Sequence, residues 1–262
     1  MQLNLADSVI LITGGTDGLG AALAARLVSE GARVAVCGRD PQRLEETRTR
    51  LIELASDPQA VLVVPADVTR PEQLEAFVAA AVERWGRVDG LVNNAGAHRG
   101  GAFETMTDAD WAGDLELKVF SAARAIRLAL PHLRAAGGGS ILNVLSISAK
   151  APGAGSMPTA AARAAGMALT QSLSKELGPD GIRVNAVLIG IIESGQWRRR
   201  ASQAGRPEGE FYRELASRND IPLGRIGRPE EFADLAAFLL SERAGFISGT
   251  AINLDGGASP VL

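Results

Sequence analysis

Thr13-Gly14-Gly15-Thr16-Asp17-Gly18-Leu19-Gly20 closes an apolar run, SVILITGG, and opens directly onto a helical pattern, AALAARLVSEGA. Glycines at such a junction permit a tight turn and let an anion approach the backbone. The first N–H groups of the following helix, and its dipole, favour negative charge there. Glycines also turn and cap without binding anything, so the pattern alone is weak. Its position, strand before and helix after at the start of an α/β alternation, reads as a dinucleotide-binding turn. The next apolar run ends in VAVCGRD. Gly38 stands where an acidic residue would accept from a ribose 2′-hydroxyl, and Arg39 follows, able to pair with a 2′-phosphate. That favours NADP(H) over NAD(H). Arg39 also reads as an ordinary exposed residue before a helix.

Strand-length apolar runs alternate with helical patterns from end to end. RVAVCGR, AVLVVPAD, GLVNNAG, SILNVLS, IRVNAVLIG and TAINLDGG follow the first run as strand candidates. PQRLEETRTRLIELAS, PEQLEAFVAAAVERWG, WAGDLELKVFSAARAIRLALPHLRAAG and PTAAARAAGMALTQSLSKELG lie between them at helical spacing. Seven strands separated by helices predict an α/β, doubly wound, Rossmann-like fold. Its seven-stranded sheet should be mainly parallel, with helices on both faces. Residues 191–228 break the rhythm: they are polar, carry WRRR at 197–200 and follow the sixth strand's carboxyl end, where such sheets place ligands. They read as a lid or substrate loop within one domain spanning residues 1–262. WRRR could close over an anionic substrate, although charge runs more often face water.

A chain of 262 residues suits one large α/β domain. The net charge of −3 gives no electrostatic case for nucleic acid or an anionic membrane. One cysteine, Cys37, excludes an internal disulfide and a cysteine-cluster metal site, and no metal is expected. With no membrane span or basic leader in the pattern, a cytoplasmic protein acting on a small molecule is expected.

TGGTDGLG, Asp67-Val68 after the third strand, Asn93-Asn94-Ala95-Gly96 after the fourth, Ser146 after the fifth, IRVNAVLIG and the final NLDGG occur in order at normal spacing. Together the chain resembles the short-chain dehydrogenase/reductases over essentially its whole length. The resemblance implies a nicotinamide-dependent oxidoreductase. Gly14, Thr16, Gly18, Leu19 and Gly20 would line pyrophosphate and ribose, and Asp67 and Val68 would face adenine. Asn94, Ala95 and Gly96 would brace the sheet beside the cofactor. Ile192 and Ser194 would hold the nicotinamide carboxamide, with Ile189 in place of the usual proline. Asp17 tells against NADP(H), since phosphate-preferring relatives often carry a basic residue there. The resemblance also implies a homodimer or homotetramer packed through the helices that carry Lys118 and Ala160–Ala168.

The same resemblance exposes a departure. Counting thirteen and seventeen residues from Ser146, the family's tyrosine and lysine fall on Thr159 and Arg163; counting seven from Trp111, its asparagine falls on Lys118. A phenol of pKa about 10, lowered by a neighbouring ammonium, can donate a proton near neutrality. A threonine hydroxyl is far less acidic, and an arginine above about 12 keeps its proton. Lys118 is one of three lysines beside 24 arginines. Close to Arg163 it would have a depressed pKa, so Ser146 and Thr159 could orient a substrate oxygen, Lys118 stabilise or protonate it, and Arg163 hold the ribose. Equally, Lys118 could simply pair with Asp114 or Glu116. Two functions remain open: an oxidoreductase acting on a small carbonyl or activated alkene, or a cofactor-binding but redox-silent protein. His98 could approach such a site, and Tyr212, the sole tyrosine, is a remote substitute acid.

Overall fold

The computed structural model describes residues 2–262. Its strands are β1 (Val9–Thr13), β2 (Arg33–Gly38), β3 (Val61–Pro65), β4 (Gly90–Asn93), β5 (Gly139–Ser146), β6 (Ile182–Ile189) and β7 (Ala251–Leu254). All pair parallel, in the order β3-β2-β1-β4-β5-β6-β7. The chain therefore winds outward from β1 to β3, then restarts at β4 on β1's other side. Connections leave β1 and β4 in opposite directions, and a crevice opens between their carboxyl ends.

The connecting helices are α1 (Gly18–Ser29), α2 (Pro41–Leu54), α3 (Pro71–Trp85), α4 (Asp108–Leu115), α5 (Ser121–Ala135), α6 (Thr159–Glu176), α7 (Gly195–Gln203), α8 (Glu208–Arg218) and α9 (Pro229–Leu240). Strand alternation divides the core between the two faces. Ile10 and Ile12 of β1 pack toward α1, α2 and α9, against Leu23, Leu51 and Phe232. Val9 and Leu11 point the other way, toward α3 and α5, against Phe77, Ile126 and Leu133. Burial on both faces is why these strands read as unbroken apolar runs.

Helix starts follow local chemistry. Asp17 caps α1 by accepting from the Gly18 N–H (2.7 Å), and Asp40 caps α2 through Gln42 and Arg43, with Pro41 in the first turn. The single helix expected from Trp111 onward is two: α4 and α5 meet through a π-helical turn at Glu116–Phe120. The 191–228 segment is not a plain loop, because it folds into α7 and α8.

Glu231 pins the start of α9. Its carboxylate accepts from the Arg225 guanidinium (2.6 and 2.8 Å) and the Arg228 N–H (2.8 Å), and these bonds, Arg225's first, lower its pKa from 4.5 to about 2. A depressed carboxylate stabilises the fold fully above its unfolded pKa and loses that contribution as pH falls toward 2. Glu231→Gln should cost roughly 1.5–3 kcal/mol at neutral pH, near the low end for so solvated a group. Urea midpoints followed downward from pH 4.5 should show a shallower decline for the variant than for the parent.

Candidate active site

Two strand ends build the floor of the crevice. The Thr13 hydroxyl donates to the Val92 carbonyl (3.3 Å) and accepts from the Asn94 and Ala95 N–H groups (3.0 and 3.1 Å). The Asn94 amide in turn donates to the Thr13 and Gly14 carbonyls (3.0 and 2.8 Å). Gly14 takes a positive φ of 69°, and a Cβ on Gly20 would lie 2.4 Å from the Gly14 carbonyl oxygen. The turn closes only because position 20 has no side chain.

Above this floor lies a groove of about 390 Å³. Gly14, Thr16, Asp17, Gly18 and Leu19 form one wall, Arg39, Asp67 and Val68 the far end, and Asn94, Ala95 and Gly96 the floor, while Arg163 and Ser194 face it from α6 and the start of α7. Two expected wall residues stand elsewhere. Gly20 packs behind the turn against Asn94, and Ile192 is buried in the core, its backbone bridged to Gly227. Both support the groove from behind.

At the far end a Cβ on Gly38 would sit 2.8 Å from the Thr16 side chain, so β2 ends without room for an acidic group, and Arg39 follows. Burial acts to raise the Asp67 carboxyl, but the Thr69 N–H and hydroxyl, then Arg39 and Arg70, hold it below its ordinary range. Arg43 of α2 also lines the groove. Sequence reasoning missed it; its spacing of four from Arg39 was the available signal.

The four residues singled out for chemistry separate into two environments. Ser146, half-buried at the end of β5, accepts from the Ser148 N–H and hydroxyl (3.3 and 3.2 Å), leaving its own proton for another acceptor. Arg163 donates to the Val144 carbonyl and lies so close to Gly96 that a Cβ there would be 2.9 Å from its Nη2. Burial lowers its pKa to about 10, partly offset by the Asp114 carboxylate.

Lys118 and Thr159 are more deeply set. The π-helical turn carries Lys118 inward, where its ammonium pairs with Asp114; both side chains are 2% exposed. Thr159 accepts from the Arg99 N–H (2.9 Å) and donates to the same Asp114 oxygen (3.4 Å). Lys118 and Arg163 also line an internal cavity of about 20 Å³ with Asn93 and Asn143. Burial lowers the Lys118 pKa, Asp114 opposes the shift, and Arg163 and Arg99 add to it. Asp114, named only as a partner in the sequence reading, accepts from both Lys118 and Thr159 and acts on Arg163 through its charge. Burial and the cations Arg200 and Lys118 lower the His98 pKa, which Asp114 opposes. Tyr212 is an unsuitable acid: burial, Glu208 and Glu193 raise its phenol.

Among the described residues no group of three or more histidines, cysteines or carboxylates could hold a metal, and no helix is long and apolar enough to cross a membrane.

Residues 14–259 match the family model described as enoyl-(acyl carrier protein) reductase. The chain belongs to the short-chain dehydrogenase/reductases. Within that family, a short chain oxidoreductase from Pseudomonas aeruginosa PAO1 with an atypical catalytic center is 37% identical. Its apo structure superposes with a TM-score of 0.92, covering 98% of this chain and 99% of the other, and its NADPH-bound structure with 0.90. L-sorbose reductase from Gluconobacter frateurii, solved with NADPH and L-sorbose, is 33% identical over the full length of both chains, TM-score 0.94. A probable 2,4-dienoyl-CoA reductase of Bacillus subtilis is 36% identical, covering 95% of each chain. The short-chain dehydrogenase/reductase fold is thus shared by carbonyl-named and alkene-named relatives alike.

Removing one partner of a buried ion pair strands the other charge. Lys118→Met should therefore destabilise the fold by roughly 3–5 kcal/mol. Adding Asp114→Asn should recover most of that loss, which chemical denaturation of both variants would measure.

Proposed function

We propose that this chain reduces a small carbonyl or activated alkene with NADP(H). The observation that carries this reading is a cluster of charge at the groove's floor: buried Lys118 pairs with Asp114, and the half-buried Arg163 guanidinium lies near enough to lower the Lys118 pKa further. An excess positive charge in a water-poor site stabilises an alkoxide or enolate as it forms. The nicotinamide, bound along the groove, would supply the hydride.

The glycine turn, with its close-packed Gly20 and backbone-lined wall, fits a pyrophosphate. Gly38 and Arg39 favour the 2′-phosphate form, as do the NADPH-bound relatives. Ser146 keeps a proton to donate to the substrate oxygen. Arg163, at the groove's floor beside Gly96, is placed to hold ribose hydroxyls. Lys118, with its lowered pKa, stabilises or protonates the developing anion. Thr159 keeps its place in the site by fixing Asp114; its hydroxyl is already engaged on both sides. We place α7 and α8 over the groove as the lid within a single domain. We also propose a homodimer or homotetramer, which the half-exposed Phe120 beside Lys118 supports.

A second reading has its own observation. Lys118 and Thr159 are both buried and both partnered, as they would be in a nucleotide-binding but redox-silent protein.

Titration with NADPH and NADH, followed by a carbonyl and enone panel, separates the two. The reductase reading predicts tighter NADPH binding and turnover on at least one panel member. It predicts a rate that falls as pH rises through a value below the ordinary lysine range. Asp114→Asn/Lys118→Met should lose that limb and about 10²–10⁴-fold in kcat. Full activity in the double variant would remove Lys118 from the chemistry, and tight binding without turnover anywhere would favour the silent reading.

A further inference from the structure

Asp17 stands where positive charge converges. It accepts from the Gly18 N–H at the start of α1, while Arg43 of α2 approaches one carboxylate oxygen (3.2 Å). Arg199 of α7 approaches that same oxygen (3.8 Å) and Arg198 the other (3.4 Å). The start of α7 presses on the same carboxylate: a Cβ on Gly195 would lie 2.1 Å from its Oδ2, and one on Gly18 would lie 3.3 Å from Ser194. Three guanidinium groups and two helix N-termini therefore stand around Asp17, with Arg43 also shared by Asp40 (3.5 Å). The arginine contacts are single and long, leaving most of their donors free.

The carboxylate also stands at a junction. The groove of about 390 Å³ and a larger one of about 830 Å³, bounded by α1, α2, α7 and α9, share Thr16, Asp17, Gly18, Arg43 and Arg199. A phosphate entering either meets Arg43, Arg199 and Asp17, while Arg198 lines the larger groove alone.

Resting on the dinucleotide reading, we propose that Asp17 is a built-in competitor for phosphate and the latch of the 191–228 segment. In the free protein its carboxylate ties α7 to the glycine-rich turn through Arg198 and Arg199. A phosphate of the nucleotide takes over Arg43, Arg198 and Arg199, and its affinity is reduced by the carboxylate it must displace or face. The arginines thereby transfer α7 from the turn to the ligand. The surplus cationic charge lets a phosphate bind despite Asp17. The carboxylate keeps that binding weak enough to release the nucleotide.

Asp17→Asn tests this, because the amide oxygen can still cap α1 while the charge is gone. Calorimetry with adenosine 2′,5′-bisphosphate, ADP and adenosine reads phosphate recognition without catalysis. The variant should bind at least one phosphate ligand tenfold or more tightly than the parent, with adenosine unchanged. The bisphosphate gaining most would assign the 2′-phosphate, and ADP gaining most the pyrophosphate. Arg198→Gln/Arg199→Gln should weaken the same ligand and abolish the gain when combined with Asp17→Asn. Unchanged or weaker phosphate binding in Asp17→Asn, beside a parent that binds, overturns the proposal alone. A parent that binds neither NADPH nor the bisphosphate overturns the dinucleotide reading and this proposal together.

Discussion

The hydrogen-bond knot between Thr13 and Asn94 is the constraint from which the functional end of this molecule follows. Parallel strands leave their carboxyl ends at one edge, where backbone groups must find partners outside the ladder. Here the Thr13 hydroxyl and the Asn94 amide supply them across the gap between β1 and β4. With those ends fixed, Gly14 turns sharply, Gly20 packs under it, and α1 points its N-terminus into the crevice. The groove floor, Ala95 and Gly96, continues from the same knot. Arg163 then has a defined surface to lie against.

Below that floor the electrostatics run on one carboxylate. Asp114 holds Lys118 and Thr159 and lies within the field of Arg163. A single buried pair is weak evidence for stability, because desolvation offsets the attraction. Here a second cation, the half-buried Arg163, lies nearby. Burial pulls Lys118 toward neutrality, and Asp114 opposes that shift.

Much of the fold was legible because buried parallel strands leave continuous apolar runs, and because a glycine turn between strand and helix has few other uses. The seven strands and the groove wall from Gly14 to Leu19 follow from that local pattern. What was hidden depends on contacts between distant segments. Nothing near Asp114 in sequence announces Thr159, forty-five residues away, as its partner. The π-helical turn at Glu116–Phe120 leaves the apolar spacing of the long helix almost intact, so one helix was expected where two meet. Motif position put Gly20 at the pyrophosphate and Ile192 at the nicotinamide carboxamide; the groove exposes neither, since Gly20 packs under the turn and the Ile192 side chain is buried. WRRR reads as a solvated face by composition, and Arg198, Arg199 and Arg200 are indeed exposed; the pattern did not show that Arg198 and Arg199 also approach Asp17, or that Arg200 stacks on Trp197 (4.8 Å).

The central claim is that a groove built this way still transfers hydride. The direct measurement is a single-turnover reaction of NADPH carrying deuterium at both nicotinamide C4 positions with each member of a carbonyl and enone panel, quenched with acid and read by mass spectrometry. The account predicts one deuterium on carbon in the product of at least one member. Saturating NADPH binding with no deuterium transferred to any member would contradict it.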